Sequence, residues 1–211
     1  CRQAVFKDVT CVSPLFRITQ KQLTQTQVTD LLELCRYYEC VRQALCKQSV
    51  FKDGICVSPM YRITQKQLTE TQITELLTLC RENTCVREAL CKQSVYSSGV
   101  RISPLYRITE KELTEHQVTV LLTLCRDYEY FREALFNAFI NNDKDDASPL
   151  YRIAEHQLTE SHITQILSLC EREMNNWDPH DPQAMIRKKW FANSLIRLTN
   201  PTLTEAQINQ I

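Results

Sequence analysis

Apolar residues at Val118, Leu121, Leu122 and Cys125 follow an i, i+3, i+4, i+7 spacing, with Leu124 widening the stripe and polar residues between. That period marks one face of an amphipathic helix. The same stripe returns every 45 residues, as Val28, Leu31, Leu32, Cys35, as Ile73, Leu76, Leu77, Cys80 and as Ile163, Ile166, Leu167, Cys170. Ahead of it, Thr24, Thr69, Thr114 and Thr204 each stand three residues before Gln27, Gln72, Gln117 and Gln207, the spacing of a capping box. Leu23, Leu68, Leu113 and Leu203 precede the cap, and Val28, Ile73, Val118 and Ile208 sit at the fourth helical position, completing a hydrophobic staple. The pattern predicts a helix over about 115–126 in the third copy; His162 replaces the glutamine in the fourth and weakens that box.

Two further helices flank this one. Ser13-Pro14, Ser58-Pro59, Ser103-Pro104 and Ser148-Pro149 place serine at the N-cap and proline at the first helical position. They predict a first helix of about two turns, anchored in the third copy by Leu105, Tyr106 and Ile108. After the long helix and a short joint (RYYE, RENT or RDYE), Val86, Ala89, Leu90 and their counterparts Phe131, Ala134, Leu135 predict a third helix, with one long bent helix as the rival reading. FKDGICV, YSSGVRI and NNDKDDA read as variable loops leading to the next Ser-Pro.

A fixed period of 20–50 residues marks a repeat array. The expected fold is all-α, an α-solenoid of 45-residue helical repeats with one short and two longer helices each. Residues 1–12 read as the end of a truncated repeat, 13–57, 58–102 and 103–147 as repeats one to three, 148–192 as a divergent fourth and 193–211 as the start of a fifth, all in one elongated domain. Both ends fall within a repeat, as in a fragment of a longer protein. In period and helix count the layout resembles armadillo and HEAT repeats.

Composition sharpens this. Only Gly54 and Gly99 supply glycine, fewer than a hairpin-rich sheet protein needs. Twenty-five basic and 25 acidic residues cancel, so no global field favours nucleic acid or an anionic membrane, and no apolar run is long enough to span a bilayer. Eleven cysteines raise disulfide and metal readings, but Cys40 and Cys85 become Tyr130, Cys46 and Cys91 become Phe136, and Cys11 and Cys56 become Arg101. An aromatic ring replaces a small buried hydrophobe, not a metal ligand. Free, reduced core thiols and a cytoplasmic or other reducing compartment are the expectation.

Candidate chemistry centres on an aromatic–arginine step: Phe16-Arg17, Tyr61-Arg62, Tyr106-Arg107 and Tyr151-Arg152, continued by Arg197. A guanidinium per layer suits carboxylate or phosphate, with Tyr61, Tyr106 and Tyr151 available for stacking; the competing role, and the favoured one, is capping of helix-end carbonyls. Arg42, Arg87 and Arg132 recur on the third helix and read as isolated solvated arginines. The string Leu-Thr-x-x-Gln-Val/Ile resembles the opening of TAL-effector repeats over six residues, without their glycine-rich loop or period. Repeat three carries five basic and nine acidic residues against six and four in repeats one and two, which argues against a phosphate-tracking surface. Asp143, Asp145 and Asp146 lack the glycine and glutamate of an EF-hand, and Asp178, His180 and Asp181 fit proline-set turns, so no metal or cofactor is assigned. No catalytic motif is assembled among the four histidines.

The expected function is therefore a non-catalytic scaffold binding a protein or peptide. Asp30 and Glu75, Tyr37 and Tyr38, Tyr128, and Trp177 and Trp190 are its candidate contacts, because they vary between repeats or supply aromatic anchors. Two alternatives are a phosphate-bearing ligand or nucleic acid held by the arginine ladder, and a targeting arm for a catalytic domain outside this chain.

Overall fold

The structure is a computed structural model that describes residues 4–6, 9–50, 56–92, 94–95, 101–136, 148–154, 158–175, 192–196 and 198. It is predominantly helical, and its helices pack against their neighbours. The chain divides into two compact units, Cys1–Ile108 and Thr109–Ile211.

In the first unit each repeat contributes three helices. Repeat one supplies α1 (Pro14–Gln20), α2 (Gln25–Tyr37) and α3 (Glu39–Cys46). Repeat two supplies α4 (Pro59–Thr64), α5 (Glu70–Glu82) and α6 (Thr84–Cys91). The Ser-Pro starts behave as expected, since Ser13 and Ser58 Oγ accept from the backbone N–H of Phe16 and Tyr61 at 3.1 Å. Thr19 and Thr64 close each short helix by donating to the carbonyls of Phe16 and Tyr61 at 3.0 and 2.9 Å. Both halves of the capping box form at α2 and α5.

The joint between the second and third helices is a single extended residue. Tyr38 (φ −118°, ψ 110°) ends α2 and opens α3, and Asn83 (φ −129°, ψ 117°) does the same between α5 and α6. This decides for two helices over one bent one. Repeat two lies on repeat one helix for helix, α1 against α4, α2 against α5 and α3 against α6. The core of this unit includes Phe16, Leu32, Cys35, Leu45, Met60, Tyr61, Ile63, Leu76, Cys80 and Leu90, each fully buried.

Short strands appear where variable loops were expected. β1 (Ala4–Phe6) pairs antiparallel with β2 (Val9–Val12). β3 (Ser49–Val50), β4 (Cys56–Val57), β5 (Ser94–Val95) and β6 (Arg101–Ile102) form an antiparallel sheet in that order. Ser49 faces Val57 and Ser94 faces Ile102, so each pair lies at the end of a repeat, just ahead of the Ser-Pro that opens the next. Pieces of two residues are too short to show an alternation, although Asp53-Gly54 between Val50 and Cys56 is a hairpin signal.

α7 (Pro104–Thr109) leads into the second unit. That unit holds α8 (Glu115–Asp127), α9 (Glu129–Phe136), α10 (Pro149–Ala154) and α11 (Glu160–Asn175). α11 lies along α8, and α10 against α9. α11 runs 16 residues where α2, α5 and α8 run 13, because repeat four has no break at Glu173, the counterpart of Tyr38, Asn83 and Tyr128.

Candidate functional site

Three sets of side chains recur at the repeat seams, and their partners show what each is occupied with. In the aromatic–arginine step, the rings of Phe16, Tyr61, Tyr106 and Tyr151 are buried, at 0, 0, 4 and 6% exposure. The Arg62 guanidinium lies 5.8 Å from the centroid of the Phe16 ring in the preceding repeat. Its Nε is buried without a hydrogen-bond partner, and the ring face offers the guanidinium a cation–π contact. Arg107 Nε donates to Tyr61 Oη at 3.4 Å. Arg17 is exposed and Arg152 half-buried. Arg62 thus meets an aromatic ring, and Arg107 a phenol, of the preceding repeat. Arg197, Trp177 and Trp190, like Asp143, Asp145, Asp146, Asp178, His180 and Asp181, lie outside the described residues.

The second set does cap helix-end carbonyls, which corrects the solvated reading. Arg87 and Arg132 are 6 and 2% exposed. Arg42 Nη1 donates to the carbonyls of Cys35 and Arg36, both at 3.0 Å. Arg87 Nη1 reaches Cys80 O at 3.0 Å and Arg81 O at 2.8 Å, while its Nη2 donates to Thr84 Oγ1 at 3.0 Å. Arg132 Nη1 bonds Cys125 O at 3.3 Å. The one-residue joint frees the last carbonyls of the long helix, and a guanidinium from the next helix folds back to accept that role. Arg132 Nε also donates to Glu173 Oε2 at 3.0 Å in a buried pair. Repeat four has Trp177 at the corresponding position, and there the long helix continues to Asn175.

The third set is the N3 residue of the capping box, which serves two repeats at once. Gln72 Oε1 accepts from Thr69 N at 3.0 Å while its Nε2 donates to Gln25 O at 2.7 Å and Thr29 Oγ1 at 3.0 Å. His162, 2% exposed, does the same with a ring. Its Nδ1 accepts from Thr159 N at 3.5 Å, and Nε2 lies 2.8 Å from Thr119 Oγ1, whose own hydroxyl donates to Glu115 O at 2.9 Å. That arrangement calls for the neutral Nε2–H tautomer.

What stays open to solvent lies beside these seams. A cleft of about 200 Å³ opens between α2 and α5, lined by Glu33, Arg36, Tyr37, Gln72 and Glu75 among others. Arg36 pairs with Glu75 across it. Glu75, expected as a contact residue, is thus half-buried and tied to the neighbouring repeat, and Asp30 is exposed one turn before Glu33. Tyr37 and Tyr38 are 67 and 55% exposed, and Leu34 44%. Spacings of three and four residues put Asp30, Glu33, Leu34 and Tyr37 on one face of α2. The structure therefore gathers Tyr37 and Glu75 on one cleft and leaves Asp30 and Tyr38 exposed outside its lining. Tyr128 is in the second unit, half-buried, its ring centroid 6.3 Å from that of Tyr130.

Among the described residues no group of three or more His, Cys, Asp or Glu could hold a metal ion, and no helix is long and apolar enough to cross a membrane. No family model, curated protein or solved structure matches this chain.

Proposed function

We propose that the chain is a non-catalytic helical-repeat solenoid that binds a protein or peptide partner at the α2–α5 cleft. Stacking of corresponding helices within the first unit supports the solenoid reading. The observation that carries the binding reading is Tyr37, largely exposed yet lining a cleft that also holds Glu33 and Glu75, with exposed Tyr38 next to it in the chain. Large rigid rings held in water are costly to a monomer and valuable to an interface, where tyrosine supplies contact area at low entropic cost. Asp30 and Glu33 beside them favour a partner segment bearing lysine or arginine. The free thiols of Cys35, Cys40, Cys46, Cys80, Cys85 and Cys170 support placement in a reducing compartment.

The test is a solution-binding screen of basic, tyrosine-accommodating peptides against the whole chain, repeated with Tyr37→Ala/Tyr38→Ala. Loss of roughly 2 kcal/mol, about 30-fold in affinity, with an unchanged melting temperature is the expected result. Peptides that bind the double variant as tightly as the wild type overturn the assignment.

A further inference from the structure

Within the first unit, repeat two meets repeat one through a fixed set of positions. Gln72 Nε2 donates to Gln25 O at 2.7 Å and Thr29 Oγ1 at 3.0 Å, and Glu75 accepts from Arg36. Leu79, seven residues after Gln72 on the same stripe of α5, is fully buried, and α5 lies against α2. Ile63 is fully buried too, on α4, which lies against α1 and α3. In the second unit the same positions behave alike: His162 reaches Thr119, the counterpart of Thr29, and Ile153 and Leu169 are buried. Repeat one presents the equivalent set to water. Ile18 is 47% and Leu34 44% exposed, and Gln27 and Asp30, the counterparts of Gln72 and Glu75, are exposed as well.

The link that joins repeat one to repeat two also has a copy ahead of this face. β1 pairs with β2 as β3 pairs with β4, Ala4 facing Val12 where Ser49 faces Val57. Residues 3–8 read QAVFKD and residues 48–53 read QSVFKD.

We propose that this face of repeat one is a docking surface for a further helical repeat of the same kind, carried in the same polypeptide and joined through β1–β2. The occupant places a helix on α2 as α2 lies on α5. It offers an arginine to Asp30 and, two turns earlier, a hydroxyl to the Gln27 amide, as Arg36 and Thr29 do for Glu75 and Gln72. Burial of Ile18 and Leu34 drives the contact, and the aspartate–arginine pair fixes its register. A second copy of this chain fits less well, because its repeat four carries Glu171 at the place of Arg36 and would set like charge against Asp30. The assignment leaves Glu33, Tyr37 and Glu75 to the α2–α5 cleft and does not depend on what binds there.

The experiment extends the full 211-residue chain ahead of Cys1 with a copy of residues 13–45, so that Cys1 takes the place of Cys46 and the natural β1–β2 link joins the added repeat to repeat one. The melting temperature should rise by roughly 5 °C or more. Asp30→Lys and Leu34→Gln, made in the resident repeat alone, should each cost the extended chain at least about twice the degrees they cost the unextended one. A gain that survives both changes undiminished overturns the proposal, since the added repeat is then not seated on this face. Should that extension not fold, residues 58–90 provide a second, with Thr74 and Arg81 in the places of Thr29 and Arg36. Absence of any gain from either extension also overturns it. So does sedimentation of the unextended chain as a dimer that Asp30→Lys dissociates, which assigns the face to a second copy.

Discussion

Replacing Arg87 by methionine keeps an unbranched stem and removes the guanidinium donors from the end of α5. Two carbonyls, those of Cys80 and Arg81, lose bonds of 3.0 and 2.8 Å, and Thr84 Oγ1 loses a third at 3.0 Å. An acceptor left buried without its partner costs about 1–3 kcal/mol, so the two carbonyls set a range of roughly 2–6 kcal/mol. Removing the guanidinium also removes its own desolvation cost, which moves the expectation to the lower half, about 3 kcal/mol. For a unit of this size that is a fall of roughly 10 °C or more in melting temperature. Urea unfolding followed by far-ultraviolet circular dichroism reads it directly. Arg81→Met is the control: its side chain is exposed, and the change should stay within about 0.5 kcal/mol. Arg87→Lys should recover less than half of the loss, since an ammonium lacks the planar fork that spans two carbonyls. If Arg87→Met costs no more than Arg81→Met, the carbonyls do not depend on the guanidinium and the account of the one-residue joint is wrong.

Burial raises the thiols of Cys35, Cys80 and Cys170 from 9.0 to about 12. These groups ionise in the unfolded chain before they do so in the folded one, so stability is full below pH 9 and falls from there toward pH 12; Cys80→Ala should flatten that slope in urea titrations across the alkaline range. Exchanging the N3 residues separates ring from amide: His162→Gln should leave stability unchanged or raise it, whereas Gln72→His should lower the melting temperature by loosening a box that now closes at 3.0 Å.

The long helices and their caps were legible because they are local. Thr69 and Gln72 are three residues apart, and the stripe of Ile73, Leu76, Leu77 and Cys80 repeats within one helix, so chain order alone brings the partners together. The Ser-Pro starts belong to the same class. The two arginine sets were not legible in this way. Arg62 and Arg87 are both isolated cations on short helices, and nothing within a few residues distinguishes them. What separates them is the one-residue break before α6, which exposes the Cys80 and Arg81 carbonyls to Arg87, and the stacking of α4 on α1, which brings Arg62 over Phe16. A clue was present, since Arg42, Arg87 and Arg132 vanish together with the break in repeat four, but it reads as a clue only once the break is seen.

The candidate site divides along the same line. Variation between repeats marked Tyr37, Tyr38, Asp30 and Glu75 as differing from the recurring core, but it could not tell an open contact from an internal one. Packing made that distinction, leaving the tyrosines in water and turning Glu75 toward Arg36. Periodicity determined the helices, their ends and their apolar faces, because those follow from hydrogen bonds and burial within a single turn or two. Only tertiary structure decided which polar groups meet across the seams, because those partners lie 39 to 47 residues apart and depend on how one repeat settles on the next.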